Sequence, residues 1–357
     1  MMNPERSWFI CSFPYQLAIK EGLANKDDIA DQMLDEDFNE IRWSMEMLAE
    51  FYGDSDGSFF NYDSVANNRK IQFPMISESV YSNLPKNSKF AIPPKVAGEK
   101  RILSVDIALM KSSKHKNDAS AVFINQMLPT KAGRYISNIV YTEANEGLRT
   151  DEQALRVRKL YDEYACDYIA LDVKGLGIGV YDALSSDIPD VESGEIYPAL
   201  SCCNNPDLAD RCTSKNAEKV IWAINGASKF NSECAILLRE GFKAGKIRLL
   251  TTEYDAEKIL SGIKWYSDLK ISDKTKLLLP YINTTLLINE LINLQHEESS
   301  GFVKISEKYG MRKDRYSSLS YNFWVANQIE KELRKKVRNS IGENSNGSFM
   351  FRAPKIK

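Results

Sequence analysis

The chain has 357 residues, of which 43% are hydrophobic and 27% charged, and a formal net charge of −2, so it reads as an ordinary soluble protein long enough for two domains or one domain with an appendage. Six cysteines (11, 166, 202, 203, 212 and 234) follow no disulfide framework, and neither histidine, His115 or His296, stands at zinc-ligand spacing from a cysteine pair. No apolar run approaches membrane-spanning length and no signal peptide is visible, so the expected setting is aqueous and reducing, with no membrane partner and with Cys202, Cys203 and Cys212 as reduced thiols.

Charge is unevenly spread. Residues 1–98 carry 15 acidic against 9 basic side chains, whereas residues 308–338 carry nine basic and three acidic. The second region offers a phosphate backbone a basic surface, or is an exposed helical face.

The first 85 residues read as a separate, mostly helical unit, with Phe38, Ile41, Met45, Leu48 and Phe51 at helical spacing. Residues 86–99, with Pro93-Pro94 among Lys, Ser and Asn, read as a linker. From Lys100 the pattern is α/β. Strand-like runs at 102–109, 119–126 and 134–141 suggest an antiparallel meander, followed by a helix with Thr150 as its N-cap. A buried strand at 168–171 leads through a glycine-rich turn to a helix at 180–185 and a strand at 195–200. Residues 215–244 read as one long helix, 246–250 as a strand, 286–295 as a helix, 301–305 as a strand and 316–338 as the last helix, so the α/β domain covers 100–338. Residues 339–357 read as a disordered tail.

Three acids stand out against this order. Asp106 ends Arg-Ile-Leu-Ser-Val-Asp, Asp172 ends Tyr-Ile-Ala-Leu-Asp, and Asp314 opens the last helical pattern. Each alone is the kind of residue that caps a helix or forms a turn. Together, on the first strand, the fourth strand and a late helix, they match an RNase H-like mixed sheet flanked by helices, provided the first and fourth strands are neighbours. Carboxylates held close repel, and an oxygen-preferring divalent cation is the usual reason to hold them so. Asp106 bridging two ions, with Asp172 completing one and Asp314 the other, gives the two-metal clamp for in-line phosphodiester displacement.

Two nucleotide-binding readings fail on spacing. Asp172-Val-Lys-Gly-Leu-Gly-Ile-Gly-Val is strand, glycine turn, helix, but departs from G-x-G-x-x-G; its glycines would instead let the backbone pass close to metal and phosphate. Gly241-Phe-Lys-Ala-Gly-Lys-Ile has too few residues between its glycines for a P-loop, and Ile247 where Ser or Thr is needed.

Ser104-Val-Asp-Ile-Ala with Asn117-Asp-Ala-Ser-Ala-Val, then Ala170-Leu-Asp172 with Gly175 and Gly177, then residues 238–247, and last Lys313-Asp-Arg-Tyr-Ser-Ser-Leu-Ser-Tyr resemble, in that order, the C-terminal nuclease domain of the large subunit of tailed-bacteriophage terminases. The resemblance covers about 100–328. It implies metal-dependent cutting of double-stranded viral DNA during genome packaging, with Mg²⁺ or Mn²⁺ bound, in the host cytoplasm, beside a portal protein and a small terminase subunit. It also makes Asp118 a further acidic position, an outer metal ligand or a strand-start cap. Lys174 is placed to touch the scissile phosphate or to be a solvated loop lysine. Lys114, His115 and Lys116 on the first turn, and Arg312, Lys313 and Arg315 around Asp314, are the expected phosphate contacts, holding DNA without reading sequence.

Residues 38–60 resemble the end of that family's packaging ATPase domain. No ATPase signature accompanies them, so the expected activity is nuclease without motor, and a chain starting near Ser88 is expected to fold. Two other readings stay open: a Holliday-junction resolvase or transposase of the same fold, and a noncatalytic packaging or docking subunit.

Overall fold

Residues 101–105 are buried on both faces of their strand, with the aliphatic Ile102, Leu103 and Val105 joined by the buried polar Arg101 and Ser104. The structure, a computed structural model, describes residues 2–3, 8–9, 15–23, 25, 58–85, 87–107, 120–145, 147–299, 302–307 and 312–344. The chain forms two units, residues 1–56 and 57–357. Within the first, Met2–Asn3 pairs with Trp8–Phe9 and a helix spans Tyr15–Lys20. The helix expected over 38–51 lies outside the described residues.

The second unit runs α1 (Tyr62–Ala66), β1 (Arg69–Ile71), β2 (Lys100–Asp106), β3 (Ser120–Pro129), β4 (Tyr135–Asn145), α2 (Thr150–Glu163), β5 (Tyr168–Asp172), α3 (Gly177–Leu184), β6 (Leu200–Cys202), β7 (Glu218–Ile224), α4 (Ser228–Lys243), β8 (Ile247–Leu250), α5 (Ile271–Asn293), the hairpin β9 (Gln295–Ser299) and β10 (Phe302–Ser306), and α6 (Asp314–Asn344). Eight strands make one sheet in the order β6-β7-β5-β2-β3-β4-β8-β1. The meander β2-β3-β4 is antiparallel, and β5 and β7 extend it in parallel beyond β2. That is the RNase H-like arrangement, and it makes the first and fourth strands of the domain neighbours.

Parity along the strands assigns the two faces. Leu103, Val105, Val122, Ile124, Ile169 and Leu171 share a core with α2 and α3. Ile102, Ala170 and Ile224 pack instead against Tyr321, Val325, Ala326 and Ile329 of α6 and Cys234 of α4. A polar seam runs through this second layer. Ser104 Oγ and Ser318 Oγ are 3.1 Å apart, Asn322 Nδ2 donates to Ser104 Oγ (3.1 Å) and the Ile102 carbonyl (3.3 Å), and Asn322 Oδ1 accepts from Asn125 (2.8 Å). All four side chains are fully buried, so each bond lost would strand a polar group and α6 cannot slide along β2 cheaply.

Several expectations from the sequence are corrected here. Residues 215–244 are not one helix: β7 occupies 218–224 and pairs with β5, and only 228–243 are helical. Arg149, not Thr150, is the N-cap of α2, and its amide donates to Glu152 (2.8 Å). Helix α6 continues to Asn344, past the expected start of the tail, and 345–357 lie outside the described residues.

The expected boundary at 85 and linker at 86–99 also fail, because residues 58–99 are built into the second unit. Strand β1 pairs with β8, and Phe60, Val65 and Phe90 are fully buried. Met75 donates its amide to the Val140 carbonyl (2.9 Å) and accepts at its own carbonyl from the Tyr164 hydroxyl (2.8 Å). Burying three such side chains contributes several kcal/mol, roughly 1.5 to 3 kcal/mol each. A chain starting at Gly57 is therefore expected to give a cooperative thermal transition, whereas one starting at Ser88 is expected to give none by circular dichroism; a cooperative Ser88 form would contradict this packing.

At the sheet end remote from Asp106, Asp167 ties β5 to β2. It accepts from Lys95 Nζ (2.7 Å), the Arg101 amide (2.8 Å) and Lys100 Nζ (3.0 Å). Burial pushes the Asp167 carboxyl up, but these bonds together outweigh it and hold the group below its ordinary value. A depressed pKa in the folded state stabilises above the unfolded value and fades as pH falls through the folded one. Asp167→Asn is accordingly expected to cost about 1 to 3 kcal/mol in urea unfolding at pH 7, with the gap to wild type narrowing below about pH 4.

Candidate active site

Strands β2 and β5 run in parallel with Val105 opposite Leu171, so the next residues on each, Asp106 and Asp172, emerge side by side at the sheet edge. By parity with Ile102, Ser104 and Ala170, both lie on the face covered by α6. Tyr321 of α6 senses both: burial pushes its phenol up, and the charges of Asp172 and then Asp106 add to the effect. Its hydroxyl lies 3.3 Å from Asn231 Oδ1.

Helix α6 delivers the third acid. Asn322 and Ser318 meet β2 at Ile102 and Ser104, so the helix is antiparallel to the strand. Four helical residues rise about 6 Å and two strand residues advance about 6.6 Å, which brings Asp314, four residues before Ser318, level with Asp106, two residues after Ser104. The start of α6 is pinned on its other side. Glu290 of α5 takes the Arg315 guanidinium on one carboxylate oxygen (2.8 Å) and the Tyr316 amide on the other (3.1 Å), capping an otherwise unsatisfied first turn. Burial pushes the Glu290 carboxyl up, the Arg315 charge opposes this, and the nearby Asp314 adds to it.

The glycine-rich turn after β5 has a structural cause. A Cβ on Gly177 would lie 1.6 Å from the Asp172 carbonyl oxygen, and Gly175 has φ +60°. The chain doubles back on the strand end so tightly that only glycine fits, which replaces the expectation that these glycines serve close passage of phosphate. The turn holds Asp172: its Oδ1 accepts from the Lys174 amide (2.9 Å). Burial pushes the Asp172 carboxyl up, with Lys174 opposing.

The expected phosphate contacts fare unevenly. Arg315 is not available for DNA: it is buried, and its guanidinium is committed to Glu290 and Asn283. Lys174 Nζ donates to the Gly226 carbonyl (3.0 Å), so it is a positioned rather than a freely solvated lysine. Lys313 pairs with Glu307 (2.6 Å), both partly exposed, and Arg312 is half-buried beside it. Asp118, Lys114, His115 and Lys116 lie outside the described residues.

Among the described residues no three His, Cys, Asp or Glu side chains converge closely enough to hold a metal ion between them. What is built is a pair of carboxylates with a third aligned to it. Hard oxygen donors, an elevated Asp172 and a sheet edge open to solvent suit a divalent cation such as Mg²⁺ or Mn²⁺, whose charge would offset the repulsion and the burial. Sequence reasoning gave no roles to Tyr321, Asn322, Ser104, Asn231 or Glu290. A signal existed for Asn322: with Ser318 it follows Asp314 at four-residue intervals on a helix otherwise rich in apolar residues.

No helix among the described residues is long and apolar enough to cross a membrane. No protein-family model and no curated protein matches the sequence. Among solved structures, the chain is similar to the large terminase nuclease from thermophilic phage G20c with bound magnesium, at 11% identity and TM-score 0.40 over 75% of this chain and 97% of that one. It is also similar to the nuclease domain of the large terminase subunit of bacterial virus Sf6, at 10% identity and TM-score 0.36 over 74% of this chain and 98% of that one. The large terminase of bacteriophage HK97 matches at 8% identity and TM-score 0.38, covering 84% of this chain and half, 50%, of that longer one.

Proposed function

We propose that this chain is a divalent-cation-dependent endonuclease that cuts double-stranded DNA during viral genome packaging. The observation that carries the chemistry is the register of β2 and β5, which sets Asp106 beside Asp172 under the helix that begins with Asp314. The packaging role rests on the ordered sequence motifs that resemble terminase nucleases, and with it come a portal protein and a small terminase subunit as partners and the host cytoplasm as the setting.

Asp106 and Asp172 are the residues that would hold a cation, with Asp314 as the third ligand and Asp118 as an outer one. When bound, Mg²⁺ or Mn²⁺ would supply a polarised phosphodiester and an activated water. The chain's own groups set the stage. The parallel strand pair fixes the spacing of the two acids, the Lys174 amide orients Asp172, and the seam of Ser104, Ser318 and Asn322 sets the height of Asp314. Arg312 and Lys313 stand at the mouth; an exposed pair such as Lys313 with Glu307 is held weakly, so the lysine can exchange its partner for a phosphate.

Incubated with supercoiled plasmid and Mn²⁺, the wild-type chain is expected to nick and linearise it, with chelator abolishing the reaction. Asp106→Asn should lose more than the roughly 10- to 100-fold that removal of an outer-shell partner costs while melting at the wild-type temperature. An Asp106→Asn protein that cuts at the wild-type rate would remove the assignment.

Asp314 separates ligation from a surface charge role. Asp314→Asn should depress turnover far more than duplex affinity measured without metal, because removing one negative charge beside the phosphate path does not weaken binding. Lost affinity with unchanged turnover on bound DNA would assign Asp314 to holding the helix end instead.

A further inference from the structure

Beside the stripe of α6 that meets the sheet, a second stripe made by Lys313, Tyr316, Ser317 and Ser320 floors a cleft of about 510 Å³ that ends at Tyr321. One wall is the start of α4, with Ser228 and Asn231, and the other is strand β10 of the hairpin. The hairpin is pinned to α4 by the Val303 amide donating to Ser232 Oγ (2.9 Å), so the cleft is a built feature with two anchored walls. Tyr321 at its end donates its hydroxyl to Asn231 Oδ1 (3.3 Å) and lies near enough to Asp172 and Asp106 for their charges to push its phenol further up.

The lining is mixed, apolar surface with polar groups set into it. Aromatic rings and the aliphatic Val303 and Ile305 share the lining with serine hydroxyls and an asparagine amide, Phe302 stands 38% exposed at the rim, and the exposed Lys304 and partly exposed Lys313 mark the mouth. A flat ring, hydrogen-bonding edges and an anion at the entrance are what such a lining complements, and that combination is a nucleotide. A duplex is far too wide for the space, while one nucleotide fits comfortably in a pocket of this class.

We propose that this cleft holds one unpaired nucleotide of the DNA strand, with its base among the serines and rings and its phosphate at Lys304 and Lys313. This rests on the nuclease reading only in taking DNA as the ligand. It adds a requirement that the carboxylates alone do not impose: the strand entering the site is locally unpaired next to the bond to be cut.

The test is binding, read without metal so that cleavage plays no part. Fluorescence anisotropy of the full chain is followed with a fluorescein-labelled oligothymidine and with a hairpin duplex of equal length. Ser317→Trp fills the cleft from its floor; Phe302→Ala removes the rim ring at an exposed position where folding tolerates it. Each is expected to weaken single-strand binding by roughly tenfold, the scale of one lost base stack, while duplex affinity stays within about twofold. Unchanged single-strand affinity in both variants, equal loss for both ligands, or no single-strand binding by the wild-type chain would each overturn the proposal. Failure of the plasmid assay would leave a positive result here standing, because the two readouts share no step.

Discussion

The second unit depends on a short polar seam inside an apolar layer. Ser104 on β2, Ser318 and Asn322 on α6, and Asn125 on β3 are hydrogen-bonded to one another in a fully buried chain. In an all-apolar interface a helix can shift by a turn at modest cost, since one aliphatic contact replaces another. Here a shift would leave several buried donors and acceptors unpaired, at about 1 to 3 kcal/mol each. The seam therefore converts a hydrophobic packing into a fixed register, and the residue whose position it fixes is Asp314.

Electrostatics then gives the arrangement its purpose. The sheet sets Asp106 beside Asp172 by backbone pairing alone, the turn through Gly175 and Gly177 folds back onto the Asp172 carbonyl, and burial already disfavours charge on Asp172. The last of these disfavours the charged carboxylate, and a bound cation would offset it. The Glu290–Arg315 pair behaves differently: both charges are buried, mutually bonded and spent on holding the helix start. Of the neighbouring Asp314 and Arg315, the proposed function keeps the acid for a cation, while the base is consumed by structure.

Much of this was legible in the sequence because the relevant signals are local. A buried strand that ends in Asp can be read from six residues, and so could Asp106, Asp172 and the meander between them. What was not legible depends on distant partners. Residues up to 85 look like a helical unit and 86–99 like a linker because those patterns are local, whereas β1 belongs to the sheet only through β8, some 180 residues later in the chain. The run from Val220 to Ile224 is apolar in a way that suits a buried strand or a helix equally, and its neighbour β5 decides the matter. Arg315 reads as a phosphate ligand until Glu290 and Asn283, on another helix, are seen to occupy it. The glycines after Asp172 were noticed for the right reason, close approach, but what approaches is the protein's own carbonyl.

The central claim is that Asp106, Asp172 and Asp314 share one cation-binding locus. Anomalous scattering from a crystal of this chain soaked in Mn²⁺ tests it most directly. The account predicts a strong peak within coordination distance of the Asp106 and Asp172 carboxylates, with Asp314 on its open side. Manganese peaks found only elsewhere on the molecule, with the Asp106 and Asp172 pair bare at saturating Mn²⁺, would contradict it.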